Sequence, residues 1–235
     1  MPRSKINNQA NIQAKLRWGL LGSSGKMGSE VVRIFSEDAS YSKKMQLVFE
    51  DSGRNQESLL EKLFESKPKV LLDFSRPEAL LPISLALKKI KCRVLVCSTG
   101  WTFEQKKIFM KHLGQKNVTW LPNTSEGVSL LIKAVQAVCK NLSDPQQTKI
   151  TIFEAHHIHK KDAPSGTALW LKEAISECLG KQCPSIEFES QREGEIIGIH
   201  RVFISLPSET LELAHKAEDR KIFAKGALKH LSNFK

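Results

Sequence analysis

The chain has no apolar run approaching the roughly 20 residues that a bilayer-spanning helix needs, and it has a single tyrosine among 235 residues. The first absence argues against a transmembrane helix, and residues 1–17 also lack the apolar stretch of a secretory signal. The second leaves few rings for stacking on bases, and no helix-turn-helix, zinc-finger or RNA-binding signature is present. We therefore expect no membrane and no nucleic acid among its partners.

The chain also lacks the CxxC spacing that is typical of metal sites. Its cysteines are scattered, and the default for such thiols is the reduced state in a cytoplasmic protein. We expect free thiols, a cytoplasmic location and no metal site. The five cysteines are Cys92, Cys97, Cys139, Cys178 and Cys183.

Lysine and arginine exceed the acidic residues, 36 against 25, which gives a formal charge of +11. Nucleic-acid binding is one explanation, because a basic surface attracts phosphates. The other is an enzyme whose cofactor and substrate are both anions. We favour the second because the basic residues are spread along the chain, although +11 exceeds what anionic ligands require. Residues 1–16 are basic without an acid, and we expect a disordered lead-in there.

A glycine-rich loop near the start predicts dinucleotide binding. Leu16–Leu21 is a short apolar strand, and Gly22, Gly25 and Gly28 follow it, before an apolar helical pattern. Glycine permits a tight turn and a close approach of the backbone to a pyrophosphate, which rests on the helix N-terminus. The spacing is GxxGxxG and not strict GxGxxG, because Ser24 stands where the second glycine often does.

An acidic pair ends the second predicted strand. Gln46–Phe49 runs into Glu50 and Asp51, a little over twenty residues beyond Gly28. An acid at that distance holds a ribose hydroxyl in dinucleotide-binding folds. Either carboxylate suits the role, so Glu50 and Asp51 remain alternatives.

Strand and helix patterns then alternate to about residue 122. Val70–Phe74, Arg93–Cys97 and Val118–Leu121 are short apolar strands of the kind that a parallel sheet buries, and Pro77–Lys89 is predicted to be a helix. We predict an α/β fold, with a Rossmann-type doubly wound parallel sheet over residues 17–122. Ligands of such sheets lie at the carboxyl ends of the strands, where the loops 75–76, 98–100 and 123–124 fall.

Residues 123–218 are predicted to form a second, α+β domain. Ile150–Glu154 is a strand followed by a helix, and three strand patterns fill residues 185–217. These strands carry more apolar residues than one helix layer covers, which predicts a mostly β-sheet oligomerisation surface. Those apolar residues are Ile196, Ile197, Ile199, Val202, Phe203, Ile204 and Leu206. Residues 219–235 are expected to form a helix that returns to the first domain.

The segment FEAHHIHKKDAPSGTA, residues 153–168, is the most informative of the chain. Its imidazoles suit proton donation near neutral pH, its lysines supply fixed positive charge, and its Ser-Gly-Thr turn offers donors to an anion. Zinc is the rival ligand for imidazoles, but Lys160 and Lys161 would repel a dication. The segment therefore predicts a site that binds carboxylates and protonates a carbon or nitrogen.

Together these motifs resemble the 4-hydroxy-tetrahydrodipicolinate reductase (DapB) family. The sequence patterns that show the resemblance extend from about Arg17 to Phe234. They are EAHHxHKxDAPSGTA, GxxGKMG, DFSRPEAL, STGW, PNTSEGVSLL, GEIIGIHRV, LELAHKAEDR and FAKGAL. The resemblance implies an NADH- or NADPH-dependent oxidoreductase of lysine and diaminopimelate biosynthesis. Such an enzyme reduces 4-hydroxy-tetrahydrodipicolinate to tetrahydrodipicolinate by hydride transfer and protonation.

The resemblance also implies roles for individual residues. His156 is the proton donor and Lys160 its catalytic partner, with His159 in a supporting role. The substrate carboxylates are held by His157, Ser165, Gly166 and Thr167. The cofactor residues are Gly22, Ser23, Ser24, Gly25, Lys26, Met27, Glu50, Asp51, Cys97, Ser98, Thr99, Leu121, Pro122, Asn123 and Thr124. Family members form homotetramers through the second domain's sheet, and we expect a homotetramer here.

Some positions depart from the family pattern. The segment between Asp51 and Val70 is shorter than in many relatives, and Thr124 and Glu126 stand where Phe and an aliphatic residue are usual. The preference for NADH or NADPH therefore stays open. A nucleotide-sensing regulatory protein without turnover is the non-enzyme alternative, and the intact His156 and Lys160 argue against it.

Overall fold

The computed structural model describes residues 14–234. The lead-in predicted for residues 1–16 therefore lies almost wholly outside the described residues. Two sheets organise the described chain, a five-stranded sheet and a four-stranded sheet. Within residues 14–234, no helix is long and apolar enough to cross a membrane.

The first sheet alternates strands with helices. Its strands are β1 (Leu16–Leu21), β2 (Met45–Asp51), β3 (Val70–Asp73), β4 (Arg93–Val96) and β5 (Val118–Trp120). Its helices are α1 (Lys26–Glu37), α2 (Ala39–Lys44), α3 (Gln56–Ser66), α4 (Pro77–Leu80), α5 (Ser84–Lys89) and α6 (Phe103–Leu113). The strand order is β2-β1-β3-β4-β5 with every pair parallel, which confirms the predicted Rossmann-type sheet. The order reverses between β1 and β3, and ligands bind outside the carboxyl ends of strands at such a switch point.

The prediction of one uninterrupted helix over Pro77–Lys89 is wrong, because the structure divides this segment into two helices. A 3-10 turn, Leu81–Ile83, separates α4 from α5. Pro82 lies in that turn, and proline lacks the N–H that would continue the α-helical ladder. The short helix α2 was not predicted. It begins where the Asp38 side chain accepts a hydrogen bond from the backbone N–H of Ser40.

The second sheet contains β6 (Lys149–His156), β7 (Ile186–Arg192), β8 (Ile199–Leu206) and β9 (Glu209–Lys216), in the order β7-β6-β8-β9. β6 and β7 are parallel, and the other two pairs are antiparallel. Two helices, α7 (Glu126–Lys140) and α8 (Gly166–Leu179), pack into one core with this sheet. This mixed α+β layer confirms the second fold prediction.

The apolar residues of the second sheet are distributed differently from the prediction. Val202 and Ile204 are fully buried beneath α7 and α8, and Ile197 lines a cavity near the first sheet. The opposite face carries the half-buried Phe203 beside an ion pair of 3.6 Å between Arg201 and Glu212. That outer face is therefore mixed and not purely apolar, because side chains alternate between the two faces of a strand.

The last helix, α9 (Lys221–Ser232), belongs to the core of the first sheet. Its buried residues Ala224, Ala227, Leu228 and Leu231 share one apolar cluster with Trp18 and Leu20 of β1. The chain therefore leaves the first unit after β5, forms the second sheet, and returns to complete the first core.

Candidate active site

A cavity of about 450 Å³ lies where the carboxyl ends of the first sheet face the histidine segment. We call this cavity the cleft. Most residues predicted for cofactor and substrate line it: Gly25, Lys26, Met27, Cys97, Ser98, Thr99, Leu121, Pro122, Asn123, Thr124, His156, His157, Lys160, Ser165, Gly166 and Thr167. Residues of both units, far apart in sequence, thus meet in one place.

The glycine loop divides into a part that lines the cleft and a part that does not. Gly25, Lys26 and Met27 line the cleft, whereas Gly22, Ser23 and Ser24 are not among its lining residues. The N–H groups of Gly22 and Ser23 instead donate to the Asp51 carbonyl, at 2.7 and 3.0 Å. Gly22 has a φ of 89°, and a Cβ there would lie 2.6 Å from the Phe74 carbonyl. Close packing between strands therefore requires a glycine at this position.

Gly25 is the glycine that faces the cleft. It precedes the first residue of α1 in an extended conformation, with a φ of −78°. A Cβ at this position would lie 3.3 Å from the Gly22 carbonyl oxygen and would meet no other heavy atom within 4 Å. The missing side chain therefore leaves open space directly in front of the N–H groups that begin α1, as a bound pyrophosphate requires.

The acidic pair at the end of β2 lies away from the residues that line the cleft. The Asp51 carboxylate is nearly buried, and it accepts hydrogen bonds from the Gly53 N–H at 2.8 Å and from the Lys62 ammonium at 2.6 Å. Glu50 is exposed. Asp51 thus already has a structural role at the turn after β2, and Glu50 is the carboxylate that remains accessible.

A buried carboxylate at the end of β3 holds two loops of the cleft. Asp73 accepts hydrogen bonds from the backbone N–H of Ser75 at 3.0 Å and from the hydroxyls of Ser75 and Ser98. The indole N–H of Trp101 donates to Ser98 at 3.0 Å. Burial raises the pKa of Asp73 to about 6, although the hydrogen bonds from the two serines act in the opposite direction. Asp73 is not among the predicted site residues, since one acid after an apolar strand has several uses.

The loop after β5 connects the two units. The Asn123 amide donates to the Thr167 hydroxyl at 2.9 Å and accepts from the Ser125 N–H at 2.8 Å. The Thr124 hydroxyl donates to the Phe223 carbonyl at 2.6 Å. Asn123 and Thr124 therefore tie the first sheet to α8 and α9, and both line the cleft.

His156 is the last residue of β6, and it is buried against its neighbours with one side toward the cleft. Its Nδ1 is hydrogen bonded to the Glu154 carboxylate. Burial alone would raise the pKa of Glu154, but hydrogen bonds from His156 and Arg192 lower it to about 2. An ionised carboxylate only accepts hydrogen bonds, so Nδ1 carries a proton and Nε2 is the nitrogen left for the cleft.

The space beside His156 Nε2 depends on a glycine. A Cβ on Gly198 would lie 3.3 Å from that nitrogen. The ring of His200 also meets the His156 ring edge to face, with centroids 5.2 Å apart. Burial, together with the charge of His156, lowers the pKa of His200 to about 3, so His200 is a neutral wall.

The remaining members of the histidine segment separate into two groups. His157 and Lys160 line the cleft, and the Lys160 ammonium bonds to Asp162 at 2.7 and 2.8 Å. Burial and the positive charge of Arg220 lower the pKa of His157. His159 is exposed and lies outside the lining residues, with its ring centroid 6.2 Å from that of His157.

The Ser-Gly-Thr turn begins helix α8. The Ser165 hydroxyl accepts from the Ala168 N–H at 3.2 Å and so caps the helix. The first N–H groups of an α-helix have no partner within the helix, and the helix dipole favours negative charge there. Gly166 and Thr167 therefore present anion-binding N–H groups to the cleft, while the Ser165 side chain is already used.

Four lining residues were not predicted as site residues, and one of them, Ile197, was assigned to the oligomerisation surface. They are Phe74, Ile197, Arg220 and Phe223. Arg220 and Phe223 reach the cleft because α9 returns to the first core. The return of this helix was expected from the sequence, but the side chains that it brings to the cleft were not. Arg220 adds a fixed positive charge beside His157.

The described residues contain no group of three or more His, Cys, Asp or Glu side chains that could hold a metal ion. The five cysteines have free thiols. Burial raises the pKa of Cys97, in the cleft wall, well above its ordinary value, and nearby Asp73 adds to the effect. The cleft thus offers anion-binding groups and proton donors.

Comparisons with known proteins agree with the motifs. The family models described as dihydrodipicolinate reductase, N-terminus and C-terminus, match residues 16–124 and 127–235. The 4-hydroxy-tetrahydrodipicolinate reductase of Thermosipho africanus is 34% identical over 91% of this chain and 89% of its own. That of Lawsonia intracellularis is 29% identical over 89% and 90%. A solved dipicolinate-bound dihydrodipicolinate reductase from Paenisporosarcina sp. TG-14 aligns over 94% of this chain and 96% of its own, with 22% identity and a TM-score of 0.68.

Proposed function

Because the chain belongs to the dihydrodipicolinate reductase family, an oxidoreductase family of lysine and diaminopimelate biosynthesis, we propose that its cleft binds NADH or NADPH and reduces 4-hydroxy-tetrahydrodipicolinate there. The observation that carries this proposal is the convergence of Gly25–Met27 and the histidine segment on one cavity. These two segments would supply the two halves of a reductase site, a dinucleotide cradle and a proton donor.

The cofactor half of the proposal uses the loops of the first sheet. The N-terminus of α1, behind Gly25, would hold the pyrophosphate. Cys97–Thr99 and Leu121–Thr124 would lie beside the nicotinamide ring, which supplies the hydride when the dinucleotide is bound. Glu50 is the better candidate for the ribose hydroxyls, since Asp51 is occupied by Lys62 and Gly53. The choice between NADH and NADPH remains for the assay.

The substrate half uses the positive charges of the other wall. The substrate is a cyclic dicarboxylate, and the N–H groups of Gly166 and Thr167 at the start of α8 suit one carboxylate. His157 and Arg220 provide donors and charge close to that helix end. The solved structure of the Paenisporosarcina relative holds dipicolinate, a planar dicarboxylate, which supports this part of the proposal.

Protonation completes the reaction. Loss of the 4-hydroxyl group as water would give a conjugated imine. Hydride addition to that imine would leave an electron-rich, enamine-like carbon, to which a nearby imidazolium can transfer a proton. Nε2 of His156 is the proposed donor, because Nδ1 is committed to Glu154. Lys160 lines the same wall and is mostly buried, so its ammonium would stabilise the negative charge that develops on the substrate.

The reaction is tested with purified protein, the product of dihydrodipicolinate synthase, and NADH or NADPH in separate cuvettes. We expect the absorbance of the reduced nicotinamide to fall with at least one cofactor. Dinucleotide binding in calorimetry without any turnover would instead favour the regulatory alternative. A chain that retains neither binding nor turnover would refute the assignment of the cleft.

We also propose that the chain is a cytoplasmic homotetramer that assembles through the outer face of the second sheet. Phe153 and Phe203 are half-buried there, and the Arg201 guanidinium lies 5.8 Å from the Phe153 ring. A face that carries aromatic and arginine side chains is typical of protein interfaces, and closed symmetry would pair it with its own copy.

A further inference from the structure

Arg192 lies beside the proposed proton donor without reaching the cleft. It is the last residue of β7, and it is the register partner of His156 in the parallel pair of β6 and β7. Its side chain is 19% exposed. Register partners in a parallel pair project on the same face, so the guanidinium points along the same side of the sheet as the His156 ring.

The guanidinium joins two separate parts of the histidine segment. One nitrogen, Nη2, donates to the Glu154 carboxylate at 2.8 Å and also to the Asp162 carbonyl. Nε donates to the Lys160 carbonyl at 3.2 Å. Glu154 in turn accepts from His156. One side chain therefore holds the strand that ends in His156 and the loop that carries Lys160.

Only an arginine fits this arrangement. Its five N–H donors radiate in a fixed plane, whereas a lysine is a flexible point charge. Glu154 is fully buried, and its carboxylate has separate oxygens for His156 and for Arg192. Removal of Arg192 leaves one buried carboxylate oxygen without its hydrogen-bond donor, which is costly because that oxygen cannot be solvated instead.

We propose that Arg192 is a positioning residue for the reduction, which fixes the His156 ring through Glu154 and fixes the Lys160 loop through backbone carbonyls. This proposal rests on the roles of His156 and Lys160 in the proposed function. Arg192 itself does not contact the substrate, since it is not among the residues that line the cleft.

The charged and titratable groups that face His156 come from three strands and one loop. They are Glu154 on β6, Arg192 on β7, His200 on β8, and His157 and Lys160 in the segment after β6. Glu154 is the negative charge among them. Its two carboxylate oxygens are shared between the His156 ring and the Arg192 guanidinium.

This sharing predicts opposite changes for two variants. Glu154→Gln removes the negative charge, so the alkaline limb of the kcat–pH profile should move down by about one pH unit. Arg192→Gln leaves the carboxylate to His156 alone, so the same limb should move up by a similar amount. In both variants the plateau of kcat should fall by about tenfold or more, because the ring is no longer held.

Arg192→Lys separates charge from geometry. It keeps the positive charge, so the alkaline limb should stay near that of the wild type, but the plateau of kcat should still fall because the fork is lost. The matched control is Arg33→Gln, at an exposed arginine on α1 that pairs with Glu30 and Glu37 and is not among the residues that line the cleft. Its profile should match the wild type.

A substrate-free measurement separates this proposal from the proposed function. NMR titration of the His156 ring in the same variants should show the two opposite displacements, even if the wild type turned over no substrate. Unchanged profiles, or displacements of the same sign in both variants, would overturn the positioning role. Circular dichroism establishes that each variant is folded, and if one is not, the other together with Arg192→Lys decides.

Discussion

The carboxylate of Asp73 should make the stability of the protein depend on pH in an unusual direction. The side chain is fully buried at the end of β3, and burial raises its pKa from 3.8 to about 6. A group whose folded pKa is raised contributes stability below its unfolded pKa, and that contribution is lost as the pH rises through the folded value. Each pH unit corresponds to about 1.4 kcal/mol, so ionised Asp73 should cost the folded state about 3 kcal/mol above pH 6.

The perturbation that tests this is Asp73→Asn. The amide oxygen can accept from Ser75, and the amide nitrogen can donate to the Ser98 hydroxyl, so the hydrogen bonds that hold the two loops have replacements. The amide does not titrate. The unfolding free energy of the wild type minus that of the variant should therefore fall by about 3 kcal/mol as the pH rises from below 3.8 to above 6.

The assay is urea denaturation at a series of pH values, followed by tryptophan fluorescence and by circular dichroism. Taking the difference between the two proteins removes the contributions of the other carboxylates. Asp144→Asn, at an exposed residue before a 3-10 turn, controls for the loss of any one carboxyl group. A wild-type minus Asp73→Asn difference that stays flat across this range, or that rises with pH, would refute the reasoning about burial.

Three further predictions concern the cleft and the assembly. His156→Ala should lower turnover by roughly 100-fold or more with little change in dinucleotide affinity, and near-normal turnover in steady-state kinetics would remove His156 from the mechanism. Lys160→Ala should also lose turnover, whereas a change confined to KM would make Lys160 a carboxylate anchor. Gly25→Val should abolish dinucleotide binding. The variant should stay folded, because the backbone at Gly25 is already extended and the new Cβ needs only a small shift of the Gly22 carbonyl. Unaltered NADH and NADPH binding in calorimetry would show that the pyrophosphate lies elsewhere. Light scattering at micromolar concentration should give about four times the chain mass of 26.4 kDa, whereas a monomer mass would mean that the outer sheet face is exposed to solvent.

The first sheet could be predicted from the sequence because its signals are local. Strands such as Val70–Asp73 are short, continuously apolar runs, and each is followed by a helical pattern, so the parallel order follows from general rules. The cleft was predictable to the same extent, since Ser98 and Asn123 follow strands that end at one edge of the sheet. The division of Pro77–Lys89 was not recognised, although Pro82 marks it.

The unpredicted parts of the site depend on contacts between distant residues. Arg192 reaches Glu154 and Lys160 only because β7 pairs with β6 in one register. Arg220 lines the cleft because α9 packs on the first core. Which strand pairs with which, and in which register, is set by tertiary packing that a single sequence does not display. The burial of Val202 beneath α7 and α8, and not in an oligomerisation surface, could not be predicted for the same reason.

The chain passes between the two units twice, once after β5 and once before α9, and the two passages are joined by the hydrogen bond from Thr124 to Phe223. They also pack closely, since a Cβ on Gly226 would lie 1.8 Å from the Thr124 carbonyl oxygen. We therefore expect the two units to rotate about one axis through this junction. Distances between spin labels on α1 and α8, with and without dinucleotide, measure that rotation. Residues near the axis, Thr124 and Phe223, would hardly move, whereas Met27 and His156, in the two units, would move farther. A small rotation would therefore set the distance between cofactor and substrate across which the hydride is transferred.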